Sequence, residues 1–277
     1  LGDFCEAVRN TRITGANVSG SLQMKLSVCG KGGSGKSIVV SLLAHQAKAR
    51  GLDVLAIDSD ESNSGLFRML GFQQQPTPLM ELVGGKNSIK RKIGRSDLFS
   101  ADRISIEDIP APFVVRQNGL RLMSIGKILL SLEGCACPMG VLCRELLKKL
   151  EPDENELVIV DMEAGVEHFG RGIDENIDAI VLVVEPSMES IVLAEKIRDL
   201  SAGVRKNLHC VLNKIRSQKV SGELKKMLQA KSIEVAGIIP DDPAVFEACF
   251  KGRPIARGKA FEAADKILTR LFNPTIS

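Results

Sequence analysis

The chain has 277 residues, with 37 Lys and Arg against 34 Asp and Glu, for a formal charge of +3. That balance gives no global case for nucleic-acid binding, and the absence of Trp and Tyr argues against base-stacking platforms. Hydrophobic residues make up 44%, ample for a core, yet no apolar run reaches the length of a membrane span and no secretory signal opens the chain, so seven cysteines point to a reducing cytoplasm.

Residues 1–23 are polar and lack periodicity, and Met24 directly opens the first apolar run. The expectation is a leader or tag ahead of a natural start at Met24. Lys25-Leu26-Ser27-Val28 reads as a buried strand and Ile38 to Ala49 as a helix. Between them Gly30 to Ser37 satisfies G-x-x-x-x-G-K-[ST], the phosphate-cradling P-loop. Gly30, Gly32, Gly33 and Gly35 let the backbone turn tightly and aim N–H groups inward past Ser34, and the helix N-terminus adds its positive dipole end. Lys36 then reaches the β- and γ-phosphates of ATP, and the Ser37 hydroxyl ligates Mg²⁺.

Further strands are expected at 53–58, 120–125, 157–161, 179–184, 210–213 and 235–239, separated by helical patterns. Near-continuous apolar strands of this kind predict an α/β fold: one P-loop domain over 24–277, a mostly parallel twisted sheet with helices on both faces. The stretch 72–119 reads as an irregular insertion. Ligands collect at the carboxyl ends of such strands, where Asp58, Asp60 and Asp161 stand. Carboxylates there suit Mg²⁺ and an attacking water.

A second lysine, Lys31, makes the loop resemble the deviant K-G-G-x-G-K-[ST] class of MinD/ParA partition ATPases, the nitrogenase iron protein and metal-centre maturation ATPases. The resemblance implies that Lys31 reaches across a homodimer to the partner's nucleotide. It implies that Asp60 orients the hydrolytic water, that Asp161 holds Mg²⁺ through water, and that Gly165 senses the γ-phosphate. It also implies that Asn213 and Lys214 recognise the base of ATP or ADP, with Pro240 and Asp241 packing on its other side.

Cys135 and Cys137 form a C-x-C in which both sulfurs can face one ion, half of a tetrahedral site. Either Cys143 completes it, or a second subunit supplies an equal pair on a two-fold axis. Cys143 sits in a helical pattern with Leu142, Leu146 and Leu147 and reads better as core, as does Cys29 at the end of the first strand. His168 reads as a capping or hydrogen-bonded side chain.

The C-x-C, the run Asp161 to His168 followed by Arg171-Gly172, and Glu185-Pro186 together resemble CooC-type nickel-insertion ATPases. In that family the C-x-C cysteines of two subunits bind one metal ion, which implies Cys135 and Cys137 as ligands to Ni²⁺ or Zn²⁺. The implied partner is a client nickel enzyme, carbon monoxide dehydrogenase or acetyl-CoA synthase. Two other functions stay open. One is a MinD/ParA-like positioning ATPase; however, the 260–272 segment reads as a packed helix rather than a membrane anchor, and the basic cluster Lys86, Lys90, Arg91, Lys92 and Arg95 as a solvated face. The other is an iron–sulfur carrier ATPase.

Overall fold

The computed structural model describes residues 22–60, 65–85, 89, 99, 101–126 and 137–273, with Cys137 described by its backbone alone. The expectations for 1–21, for the basic cluster at 86–95, and for Cys135 and the Cys137 thiol therefore lie outside the described residues. The chain runs β1 (Met24–Gly30), α1 (Lys36–Ala49), β2 (Asp53–Asp58), α2 (Leu66–Met69), α3 (Leu79–Leu82), β3 (Val114–Gln117), β4 (Leu120–Ser124), α4 (Cys137–Lys149) and β5 (Glu156–Asp161). It continues α5 (Glu167–Gly170), β6 (Ala179–Val184), α6 (Met188–Gly203), β7 (Asn207–Ile215), α7 (Gln218–Gln229), β8 (Val235–Pro240), α8 (Pro243–Phe250) and α9 (Lys259–Phe272).

These strands form one sheet in the order β3-β4-β2-β5-β1-β6-β7-β8. Every pairing is parallel except β3 with β4. Strands buried on both faces need apolar side chains on both, which explains the continuous runs. On β6, Ile180, Leu182 and Val184 point into one core and Ala179, Val181 and Val183 into the other. Helices α4, α6 and α7 cover the first face through Leu142, Leu146, Ile191, Ile197, Leu224 and Leu228. Helices α1 and α9 cover the second through Val39, Leu43, Ala264, Ile267 and Leu271.

The 72–119 stretch holds more order than its sequence suggested. Within it β3 pairs antiparallel with β4 across Asn118 (φ 51°) and Gly119 (φ 76°). Both residues sit in the left-handed region, as a two-residue hairpin turn requires, and Asn-Gly is the sequence signal for it.

Local chemistry fixes the helix ends near the sheet's carboxyl edge. Ser187 and Ser217 cap α6 and α7, accepting from the N–H of Ser190 and Val220, each at 3.3 Å. Asp242 caps α8 with Oδ1, 2.9 Å from the Ala244 N–H, and its Oδ2 accepts from the Ala260 N–H of α9 at 2.9 Å. Pro243 opens α8, where a missing N–H costs nothing. No helix among the described residues is long and apolar enough to cross a membrane.

Candidate functional site

The sheet's register brings the separate motifs to one edge. Val28 of β1 pairs with Asp161 of β5, and Gly30 with Val183 of β6, so the P-loop leaves the middle of the sheet. Asp58 of β2 pairs with Asp161, which sets the two carboxylates side by side. Asp60 follows two residues later and is also buried.

Inside the loop the Ser34 N–H donates to the Lys31 carbonyl at 3.1 Å, closing a turn. Gly35 has φ +92° and occupies the N-cap of α1, with no side-chain cap hydrogen bond among the described residues. The first-turn N–H groups of α1 form a place for an anion to dock. A Cβ at Gly30 would lie 2.5 Å from the Val183 carbonyl oxygen, and one at Gly35 only 2.3 Å from Asn213 Nδ2. Lys36 is buried, and its Nζ donates to the Lys31 carbonyl at 3.4 Å.

Asp161 is 1% exposed and its Oδ1 has no hydrogen-bond partner among the described residues. Burial pushes its carboxyl up to about 7; the Ser37 hydroxyl opposes this, Asp58 adds to it, Lys36 opposes it and Asp60 adds to it. A buried carboxylate beside two more acids, a serine hydroxyl and a lysine is a setting that a divalent cation relieves. No cluster of three or more His, Cys, Asp or Glu among the described residues is placed to hold an ion directly. Ser37, Asp58, Asp60 and Asp161 offer oxygen donors of the kind a hard divalent cation such as Mg²⁺ takes. Ser34 Oγ is a second buried polar atom without a partner among the described residues.

Gly165, at φ +100°, donates its N–H to the Gly30 carbonyl at 3.3 Å, tying the segment after β5 to the loop. Asn213 and Lys214 lie in an irregularity of β7 opposite β8, with Lys214 at φ +58°. Asn213 is buried and its Nδ2 donates to the Ser34 carbonyl at 2.8 Å, so it braces the loop. Pro240 ends β8, and the Asp241 N–H donates to the Ile215 carbonyl at 2.9 Å while its Oδ2 accepts from Arg216 Nε at 2.9 Å. The residues expected from sequence to hold the nucleotide thus stand at or just beyond the carboxyl ends of the parallel strands.

Glu185, quoted in the sequence only as part of a signature, emerges as the centre of the loop's charge network. Its Oε1 is 3.1 Å from Lys31 Nζ and its Oε2 is 2.9 Å from Lys214 Nζ. Lys214 also donates to the Gly33 carbonyl. Partial burial works to raise the Glu185 carboxyl, but the Lys214 and Lys31 ammonium groups outweigh it and hold it below its ordinary value. An acid immediately after the apolar run 179–184 was the available signal.

Two cysteine expectations and one histidine expectation meet the structure here. Cys29 and Cys143 are buried, and burial raises both thiols, Cys143 to about 12. His168 is 2% exposed, and its Nε2, without a hydrogen-bond partner among the described residues, lies 3.8 Å from Asp174 Oδ2. Burial, then Arg171 and Lys36, lowers its imidazole to about 3, so it stays neutral.

The CobQ/CobB/MinD/ParA nucleotide binding domain family matches residues 26–255. The carbon monoxide dehydrogenase accessory protein CooC of Rhodospirillum rubrum is 32% identical, over 90% of this chain and 97% of its own length. The chain belongs to this family, and within it to the CooC type. Another relative of the CooC-type chain, an uncharacterised ATP-binding protein of Methanocaldococcus jannaschii, is 37% identical over 84% of this chain and 94% of its own. Among solved structures, the septum site-determining protein MinD of Pyrococcus horikoshii in complex with Mg-ADP superposes with a TM-score of 0.69. It is 16% identical and the match covers 91% of this chain and 97% of that one, which establishes the shared fold.

Proposed function

We propose that this CooC-type protein is an ATP-dependent metallochaperone that loads nickel into a carbon monoxide dehydrogenase-type enzyme in the cytoplasm. The observation that carries the reading is the 32% identity to the CooC accessory protein across 97% of that protein's length. The gathered P-loop, Asp58, Asp60 and Asp161 support ATP hydrolysis, and residues 24–277 act as one ATPase domain. Backbone N–H groups of Gly32 to Ser37 and the start of α1 would cradle the phosphates, with Lys36 at their reacting end. Mg²⁺, when bound, would neutralise charge on the phosphates; Ser37 would hold it, with Asp58 and Asp161 holding its waters. Asp60 orients the attacking water, Gly165 reads the γ-phosphate, and Asn213, Lys214, Pro240 and Asp241 frame the base. Two protomers close over their nucleotides, Lys31 of each reaching the other's phosphates, and Cys135 and Cys137 of both hold one nickel or zinc ion as cargo. Hydrolysis reopens the dimer and releases the ion.

The test is metal stoichiometry in anaerobically purified protein. Cys135→Ser with Cys137→Ser is expected to abolish stoichiometric Ni²⁺ and Zn²⁺ binding and leave ATP binding intact. Unchanged metal content would remove the cargo assignment, and brown protein with visible absorption would favour an iron–sulfur carrier instead.

A further inference from the structure

Strand β8 ends the sheet on one side: among the described residues it pairs with β7 alone. Alternate residues of such a strand turn their N–H and C=O groups to the open side, where another strand can pair with them. Helices from both layers reach this edge. Helix α7 packs on one face of the sheet through Leu224 and Leu228, and α9 on the other through Ile267 and Leu271. Helix α9 lies so close that a Cβ at Gly237 would collide with Ile267. Two adjoining cavities of about 460 Å³ each follow the strand, one over Val235, Gly237 and Ile238 and the other past Ser232 and Val235. Lys225 of α7 lines both.

The walls of this groove are basic. Lys225, Lys259, Lys266 and Arg270 line it with Glu234 and Glu262, and all six are exposed. None of the three lysines forms a salt bridge with a described acid. Proteins discourage edge pairing by placing lysines on the edge strand itself. Here Val235–Pro240 carries no charge, and the cations stand on the flanking helices. Lys266 and Arg270 are i, i+4 on α9, about 6 Å apart along its axis, close to the step of about 6.6 Å between same-side residues of a strand. Arg270 Nη1 donates to the Ala236 carbonyl at 2.8 Å and the Val235 carbonyl at 3.4 Å, so acceptors at the start of β8 already take a donor that a neighbouring strand would otherwise supply. A second copy of this chain suits the edge poorly, because two such grooves would bring basic wall to basic wall. An extended acidic segment suits it in both backbone and charge.

We propose that the β8 edge receives an extended acidic segment of a partner protein as an added strand, its backbone pairing with β8 and its carboxylates facing Lys225, Lys266 and Arg270. The probe is a short fluorescein-labelled peptide of alternating Val and Glu. Its binding to the full chain is read by anisotropy at low salt, and amide hydrogen exchange across residues 235–240 by mass spectrometry. Binding is expected, with exchange across 235–240 slowed, while a peptide of alternating Val and Lys stays free. Lys225→Glu with Lys266→Glu should weaken binding about tenfold or more and leave ATP binding intact. Failure of the Val–Glu peptide to bind, or equal binding by the variant, would overturn the proposal. Binding that leaves exchange across 235–240 unchanged would also overturn it, since charge alone would then hold the peptide. Slowed exchange that follows protein concentration rather than peptide would assign the edge to a second copy instead. Displacement of the peptide by single-stranded DNA would assign the groove to nucleic acid.

Discussion

Glu185→Gln separates a structural role for the loop's charge network from a regulatory one. In the structure Glu185 holds Lys31 at 3.1 Å and Lys214 at 2.9 Å, with Lys31 35% and Glu185 17% exposed. If Lys31 crosses to a partner's nucleotide, each protomer must first break its own Lys31–Glu185 pair. A partly exposed pair of this kind contributes about 0.2–1 kcal/mol, so a dimer gives up about 0.4–2 kcal/mol over two protomers. Removing the carboxylate charge removes that cost. Glu185→Gln is therefore expected to tighten nucleotide-dependent dimerisation by about 2- to 30-fold at low salt, and by less as salt screens the pair. Sedimentation of the native and variant chains with Mg²⁺ and a slow-hydrolysing analogue, at two ionic strengths, reads the effect. Equal or weaker dimerisation of the variant at low salt would refute the idea that Glu185 restrains Lys31.

Two further predictions concern the loop and its acid. Burial keeps the Asp161 carboxyl protonated up to about 7, whereas an unfolded aspartate ionises near 3.9. Its contribution to stability is thus complete below about pH 4 and is lost as pH rises through about 7. In the proposed function Asp161 acts on Mg²⁺ as a carboxylate, so Mg-nucleotide affinity should fall by up to tenfold per unit as pH drops below about 7. Titration calorimetry at pH 6 and 8 checks this, and a flat profile would contradict it. Gly35→Ala and Gly33→Ala should differ sharply in stability. Both sites have positive φ, but a Cβ at Gly35 meets Asn213 Nδ2 at 2.3 Å, whereas one at Gly33 meets nothing within 4 Å among the described residues. Backbone strain alone costs about 1–2 kcal/mol, and the clash adds about 1–3 kcal/mol at Gly35 only. Equal chemical-denaturation midpoints for the two variants would show that Asn213 yields freely.

The sheet was legible because fully buried parallel strands demand apolar residues on both faces, leaving runs such as 157–161 and 179–184 that stand out from the helices. The nucleotide edge was legible because phosphate chemistry restricts residue type at fixed spacing: glycines, then Lys36, then Ser37. The β3–β4 hairpin was missed although Asn118-Gly119 signals it, because β3 is only four residues long and lies on the sheet's edge, where polar Arg116 and Gln117 hide the pattern. Glu185 was undervalued because an ion pair links residues 154 positions apart, and no local period encodes which lysine an acid will meet.

Asp242 was described as a helix cap, yet one side chain there fastens two structures at once. Its two oxygens anchor the start of α8 and the start of α9, and α9 in turn lies along β8 and α1. The final helix is thereby bolted to the same short segment, Pro240 to Asp242, that is assigned to frame the base. Any pull on the carboxyl-terminal helix, or a fusion that displaces it, will be felt as a loosened grip on the nucleotide rather than as a frayed end.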